Sequence, residues 1–489
     1  MKSSNVRAAI GSLAIGLGMF SGTATADLTT TIDAKSNLGT WEGWGTSLAW
    51  WAQAFGTRDD LADIFFTTKT VTLSGQSLPG LGLNIARYNA GACSSNSING
   101  TRMVVSPKMI RSRQMQGFWL DWASTSPSSS SWDWSADAAQ RAMLTKARDR
   151  GADVLELFSN SPMWWMCINH NPSGSDDGKS DNLQSWNYAQ HALYMATIAK
   201  YAADNWGVKF QSVDPFNEPT ATWWNGKTGT QEGCHFEVST QATVIGHLRR
   251  ELDARGLAST IVSASDESYY DQAVTTFNKL GATALGQVAR INVHGYQYGS
   301  GRRDTLYGLV SQAKKKLWQS EYGEGDATGQ QMVSNMLLDF RWLKPTAWVY
   351  WQVLDGGGWG LVDADNDAKT IKGVNQKYWV LAQFTRHIRP GMRILDAGSD
   401  YAVAAYDAPA KKLVVAAVNW GSAQYINFDL SKFGTPGVNG ALVKRWATQI
   451  GSSGTHYVAY SDTYISGTKF WSKFEQNMVQ TFEVSGVVL

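Results

Sequence analysis

Between residues 41 and 385 the chain alternates short β-like runs with amphipathic helical stretches, and this alternation constrains its fold more than any other feature. Eight runs recur: WEGWGTSLAW (41–50), LGLNIARYN (81–89), DVLELFSNS (153–161), FQSVDPFNE (210–218), TIVSASDES (260–268), ARINVHGYQ (289–297), KLWQSEYG (316–323) and AWVYWQ (347–352). Between them lie segments such as SADAAQRAMLTKARDRG (135–151), where Ser135 or Asp137 can cap the start and Gly151 can stop the helix. Another, NYAQHALYMATIAKYAADNWG (187–207), repeats apolar residues at three- and four-residue spacing. Strands separated by helices build parallel sheets, and eight such units predict an α/β chain folded as a (β/α)8 TIM barrel over 41–385.

After residue 386 the texture changes. YAVAAYDAPAKKLVVAAVNW (401–420) reads as two strands about a turn, HYVAYSDTY and VQTFEVSGVVL read as further strands, and no helical stretch intervenes. Residues 386–489 are therefore expected to form a C-terminal β-sandwich side domain. Residues 27–40 also read as strand, and without a partner inside a barrel they are expected to join that sandwich. The serine-rich TSPSSSSWDWS (125–135) lies between the second and third strands, which places it in a βα loop and not at a domain boundary. The sequon Asn99-Gly100-Thr101 falls in the same connection.

Residues 1–26 have the layout of a secretory signal: basic Lys2 and Arg7, the apolar stretch AAIGSLAIGLGMF, then Ala24-Thr25-Ala26 before Asp27. No later apolar run is long enough to span a bilayer. The expectation is a secreted, extracellular, monomeric protein without membrane attachment. A formal charge of +2 with 17% charged residues gives no electrostatic footprint for nucleic acid. The 23 tryptophans are more than a core needs, because each buried indole N–H requires a partner. Most must fill the barrel; the remainder suit half-wet surfaces on which sugar rings stack.

Cys93, Cys167 and Cys234 match neither a disulfide framework nor a CxxC metal site, although one bridge with one free thiol is possible. His170 and His235 lie near two of them without ligand spacing, so no metal is expected. Asp363-x-Asp365-x-Asp367 has Ala368 where a calcium loop needs glycine, and it reads as a solvated turn. No phosphate-cradling or dinucleotide motif occurs, and no cofactor is expected.

Catalytic groups of a TIM barrel come from the C-terminal ends of its strands. Those ends carry Arg87, Asn160, Asn217-Glu218, Asp266-Glu267, His294 with Tyr296, Glu321 and Trp351. Glu218, read as the end of the fourth strand, and Glu321, at the end of the seventh, would face each other across the barrel mouth. Each glutamate alone could be a structural ion pair, for instance with Arg87. Together they supply what glycoside hydrolysis with retention needs, one carboxyl to attack and one to carry a proton. Asp214, Asp266, Glu267 and Glu324 compete for these places; Asp214 reads as too deep in its strand and Glu324 as a loop residue.

Asn217-Glu218-Pro219 and Trp318-Gln319-Ser320-Glu321-Tyr322-Gly323 resemble the motifs of retaining glycoside hydrolases of clan A, and more narrowly of glycoside hydrolase family 30. Gly43-Trp44-Gly45, Ser161-Pro162-Met163-Trp164-Trp165-Met166 and His294-Gly295-Tyr296 extend the likeness over nearly the whole mature chain. The resemblance implies a barrel with a β-sandwich side domain, Glu218 as acid/base, Glu321 as nucleophile and Asn217 on the sugar 2-hydroxyl. GWGTSLAWWA, FWLDWASTSPSSSSWDWS, SNSPMWWMCINHNPSG and LWQSEYGEGD are most similar to the family's endo-β-1,6-galactanase branch, which implies arabinogalactan side chains as substrate. Cys167 departs from that pattern and reads as a small buried residue. Arg87, Trp165, His294, Tyr296 and Trp351 are the further substrate-site candidates, with Arg87 also able to hold the nucleophile ionised. Trp223 and Trp224 could form a distal subsite. The alternatives are an endo-β-1,6-glucanase or another branch of the family and, in a different class, a glycan-binding protein without catalysis; the intact glutamate pair argues against the latter.

Overall fold

A computed structural model describes residues 28–489, so the signal-like segment 1–26 lies outside the described residues. Strands β1 (Gly43–Ser47), β2 (Ile85–Asn89), β3 (Val154–Phe158), β4 (Ser212–Asp214), β5 (Ile261–Glu267), β6 (Val288–His294), β7 (Lys316–Tyr322) and β8 (Ala347–Tyr350) close into a barrel. Every neighbouring pair is parallel, including β8 with β1 across the closure. Helices cover the outside and side chains fill the inside, so β1 and β2 are buried along their whole length.

All eight predicted strands are present. β4 is the exception in extent: its ladder stops at Asp214, because Pro215 has no N–H to continue it. Glu218 therefore does not end the strand but sits in the loop beyond it, and Asp214, read as internal, is the terminal strand residue.

Beyond the barrel, a six-stranded antiparallel sheet runs in the order Arg393–Leu395, Ala402–Asp407, Lys412–Asn419, Met478–Ser485, Leu442–Gln449 and Val458–Tyr464. A second sheet joins Leu28–Thr31, Gln424–Asp429 and Lys469–Phe474, with Leu28 opposite Ile426 in parallel register. Between the two sheets Ile32, Leu413, Val415, Phe428, Phe470 and Phe482 form a separate core. The helix Gln376–Thr385, buried along its length, fixes this layer to the barrel. Thr481 donates to the Gln383 carbonyl at 2.7 Å, Gln383 donates to the Thr448 hydroxyl at 2.8 Å, and His387 meets Glu483 at 2.9 Å.

The serine- and tryptophan-rich run lies in the connection from β2 to the helix Ala138–Asp149. Its indoles are spent on each other: Trp119 stacks on Trp132 (4.9 Å), Trp132 on Trp134 (5.3 Å) and Trp134 on Tyr201 (3.6 Å), all within 10° of parallel. Asn99 is exposed at the tip of the hairpin between Ser97–Ile98 and Thr101–Arg102. Asp365 and Asp367 accept backbone N–H groups of Ala368 (2.9 Å) and Ser112 (2.7 Å), as turn residues do. All three cysteines are free and buried, so the possible disulfide does not form.

Candidate active site

Past β4 the chain turns at Pro215, and Glu218 adopts a left-handed backbone (φ 47°) with its N–H donated to the Asp266 carbonyl at 2.8 Å. Asp266, near the end of β5, is left-handed as well (φ 56°). Such a conformation costs a non-glycine residue of order 1 kcal/mol and persists only where the surroundings dictate it. Here it turns Glu218 into the barrel mouth, where β7 presents Glu321. One donor atom from each of Glu218, His294 and Glu321 lies within 4.8 Å of the others.

Glu321 is the more heavily bonded of the two carboxylates. Tyr296 donates its hydroxyl to Oε1 at 2.8 Å, and Arg87 reaches Oε2 with Nη1 at 3.3 Å. His294 Nδ1 stands 3.2 Å from Glu218 Oε1 and 3.5 Å from Glu321 Oε1, and its other nitrogen is 3.4 Å from Asp266. Beneath, Arg87 also pairs with Glu156 at 2.8 Å and with Asp266, while Arg290 pairs with Glu156 and Asn292 donates to Asp214 at 3.1 Å. These charges occupy the barrel interior, where each is tolerable only because it is paired.

Burial pushes the Glu321 carboxyl up to about 7, against the pull of His294 and Arg87; the neighbouring carboxylate of Glu218 adds to the rise. Burial also opposes the charge on His294, but Glu321 and Asp266 outweigh it and raise the imidazole to about 10. The same three donors lie close enough to surround a metal ion, but they are engaged with one another and with Tyr296, Arg87 and Asp266. Burial and the Asp266 charge push Asp214 well above the usual carboxylate range. Asp266 itself, despite burial, is held low by Arg87 and His294.

Above the carboxylates opens a cleft of about 900 Å³, lined by Trp50, Asn217, Trp223, Tyr269, Tyr296, Tyr298, Trp351 and Trp359 among others. Trp50 and Trp351 meet edge to face at 5.1 Å, and Trp223 stands beside Tyr269 at 5.8 Å on another wall. Of the predicted site residues, Asn217, Tyr296 and Trp351 line this cleft together with the glutamates. His294 lies under its floor. Arg87, expected at the substrate, is fully buried and works through Glu321 and Asp266. Trp165, expected as a sugar platform, is 2% exposed: Trp119 and Trp122 cover it, and its N–H is used by the Trp119 carbonyl at 2.8 Å. Trp223 is 40% exposed, whereas Trp224 is buried. Among the competing carboxylates, Glu324 pairs with buried Lys377 at 3.0 Å and Glu267 accepts from Thr220 and Thr276.

Sequence reasoning missed Glu156, Trp50 and Trp359. Glu156 carried a signal, a lone charge in the middle of the apolar run DVLELF. The two indoles carried none, since their place in the cleft depends on how loops fold.

A TIM barrel whose mouth holds two close carboxylates under aromatic walls defines a glycoside hydrolase, an enzyme acting on a polysaccharide or oligosaccharide. The chain belongs to glycoside hydrolase family 30: the profile described as "O-Glycosyl hydrolase family 30" matches residues 23–283. It is 61% identical over 475 residues to the endo-β-1,6-galactanase of Hypocrea rufa, covering 97% of this chain and 98% of that one. Among solved structures, a conserved exported protein from Bacteroides fragilis superposes with a TM-score of 0.75 at 17% identity, over 93% of this chain and all of its own. A family 30 subfamily 8 xylanase from Clostridium acetobutylicum gives 0.68 at 19% identity, over 94% of this chain and all of its own.

Proposed function

We propose that this chain is an endo-β-1,6-galactanase that hydrolyses the β-1,6-galactan side chains of arabinogalactans with retention, using Glu321 as nucleophile and Glu218 as acid/base. The observation that carries the substrate is the 61% identity, over nearly the whole chain, to a protein named for that activity. The roles rest on the geometry. Oxygens of the two carboxyls within 4.8 Å belong to the short separation of double displacement, well below the ~6.5–9.5 Å that an inverting site needs to hold water.

Glu321 attacks the anomeric carbon while Glu218 gives its proton to the departing glycosidic oxygen. Water then enters, Glu218 takes its proton, and the hydroxide equivalent releases the sugar from Glu321. Tyr296, Arg87 and His294 all stabilise the charged form of Glu321, which favours it as the group that attacks. Among the described residues nothing bonds the buried Asn217 Oδ1 beside Glu218, which leaves it to accept a hydrogen bond from the sugar 2-hydroxyl. Trp223 and Trp359 offer exposed indole surface to sugar C–H faces, and the edges of the more buried Trp50 and Trp351 border the cleft.

The test is product analysis on debranched β-1,6-galactan beside β-1,6-glucan and xylan. Short galacto-oligosaccharides from the first substrate alone are expected. Release from β-1,6-glucan in preference would overturn the substrate, and galactobiose as sole product would overturn endo action. Glu218→Gln and Glu321→Gln should each cost at least about 10²-fold in kcat with the fold intact, and wild-type-like turnover by either would sink the roles. The same reading has the protein exported, supported by Lys2, Arg7 and the Ala24-Thr25-Ala26 site, and acting as a single chain. A mature N-terminus at Asp27 and the sedimentation mass of one chain would bear it out; retention in the cell would refute it.

A further inference from the structure

Glu218 is held by less than its role demands. Its carboxylate touches only His294 among the described side chains, and its backbone sits in a left-handed conformation past the end of a three-residue strand. Its N–H is donated to the Asp266 carbonyl and its carbonyl accepts from the Ala221 N–H at 3.1 Å. The one side chain that reaches the same carbonyl belongs to a residue expected at a distal sugar subsite. Trp224 Nε1 donates to the Glu218 carbonyl at 2.9 Å, and the indole is 4% exposed. Both flanks of Trp224 are sites that only glycine fits. A Cβ at Gly233 would come within 2.0 Å of the ring, and one at Gly174 within 1.8 Å of the Trp224 carbonyl. Gly174 also has a φ of 128°, which other residues rarely adopt. Trp224 borders the cleft only with the edge its burial leaves, whereas the adjacent Trp223, 40% exposed, is free of such constraint and faces the cleft.

We infer that Trp224 is a positioning residue for the proton donor: its wedged indole fixes the Glu218 carbonyl, and through it the direction in which the carboxyl delivers its proton. Trp223 and Trp224 thus divide the labour, one presenting a surface and the other a hydrogen bond. This inference rests on the reading of Glu218 as acid/base.

Leaving-group dependence separates the two. A 2,4-dinitrophenyl β-1,6-galactobioside departs as a stable phenolate and needs no protonation, whereas a galactosyl leaving group does; kcat/KM reports the first bond cleavage in both. Glu218→Ala should lower kcat/KM on β-1,6-galacto-oligosaccharides by at least about 10²-fold and leave the dinitrophenyl substrate nearly untouched. Trp224→Phe, which keeps the ring and deletes the N–H, should show the same pattern at about tenfold. Gly233→Ala keeps the N–H but displaces the ring, and it should reproduce the pattern if Trp224→Phe loses its fold by circular dichroism. Equal losses on both substrates, or no loss on either, in a folded Trp224 or Gly233 variant would overturn the inference. Equal losses in Glu218→Ala would instead overturn the acid/base reading beneath it.

Discussion

Tyr296 and Arg87 act on one carboxylate from different depths, and substitution should separate their contributions. The Tyr296 hydroxyl bonds the charged form of Glu321 and so lowers its proton affinity. Removing it raises that affinity, and the ionised fraction at any given acid pH falls. Tyr296→Phe is therefore expected to move the acid limb of the kcat/KM profile to higher pH and to cost about tenfold at the optimum; an unmoved limb would contradict the contact. Arg87 serves three carboxylates at once, with no exposure to solvent. Arg87→Met takes one cation from each, leaving Glu156 to Arg290 and Asp266 to His294 and Ser320, at about 3 kcal/mol of stability by urea denaturation. That Glu218 and Glu321 meet was legible in the sequence because strand ends and the residues just beyond them converge on one barrel mouth. Depth was not legible. Arg87 and Trp165 flank the same mouth in sequence, yet both strand faces are buried here, so alternation could not tell a cleft wall from the packed interior.

At the scale of elements, the strands could be read because each pairs β-branched and aromatic residues with a polar terminus and is followed by a helical period. Strand ends were harder. β4 stops at Pro215, three residues before the glutamate that seemed to complete it, and the loop beyond owes its shape to Trp224, six residues on, and to the more distant Gly233 and Asp266 carbonyl. The excess of tryptophan has a similar explanation. Three of the tryptophans build the ladder Trp119–Trp132–Trp134–Tyr201, which ties a serine-rich excursion to the barrel's helices. Trp134→Ala removes a rung and should cost about 2 kcal/mol of packing. The expected result is faster limited proteolysis within residues 125–135 with kcat unchanged; intact resistance would show that the ladder does not hold the run.

At the scale of the whole molecule, the junction of barrel and side domain carries its own pH dependence. Tyr457 lies 2.7 Å from His387 Nε2, and Glu483 lies 2.9 Å from Nδ1. Burial lowers the His387 pKa, so at neutral pH the imidazole is an uncharged link that accepts from Tyr457 and donates to Glu483. Although burial alone would raise Glu483, that N–H and the Lys412 charge hold its carboxyl down to about 2. A depressed acid contributes stability above its unfolded value and loses it on the way down. The stability difference between wild type and Glu483→Gln should thus be full at pH 6 and shrink as the pH falls from 4.5 towards about 2. A difference that persists at pH 2 would place the junction's strength elsewhere. The sheet that Leu28–Thr31 shares with Gln424–Asp429 has a consequence in time as well as in space. Leu28 and Ile426 pair across nearly the whole length of the barrel sequence. Contacts of such sequence separation form slowly, because loop closure must be met before pairing gives any return. In refolding followed by pulsed hydrogen exchange, the amides of Thr29 to Thr31 should be the last to gain protection, long after those of β6 and β7.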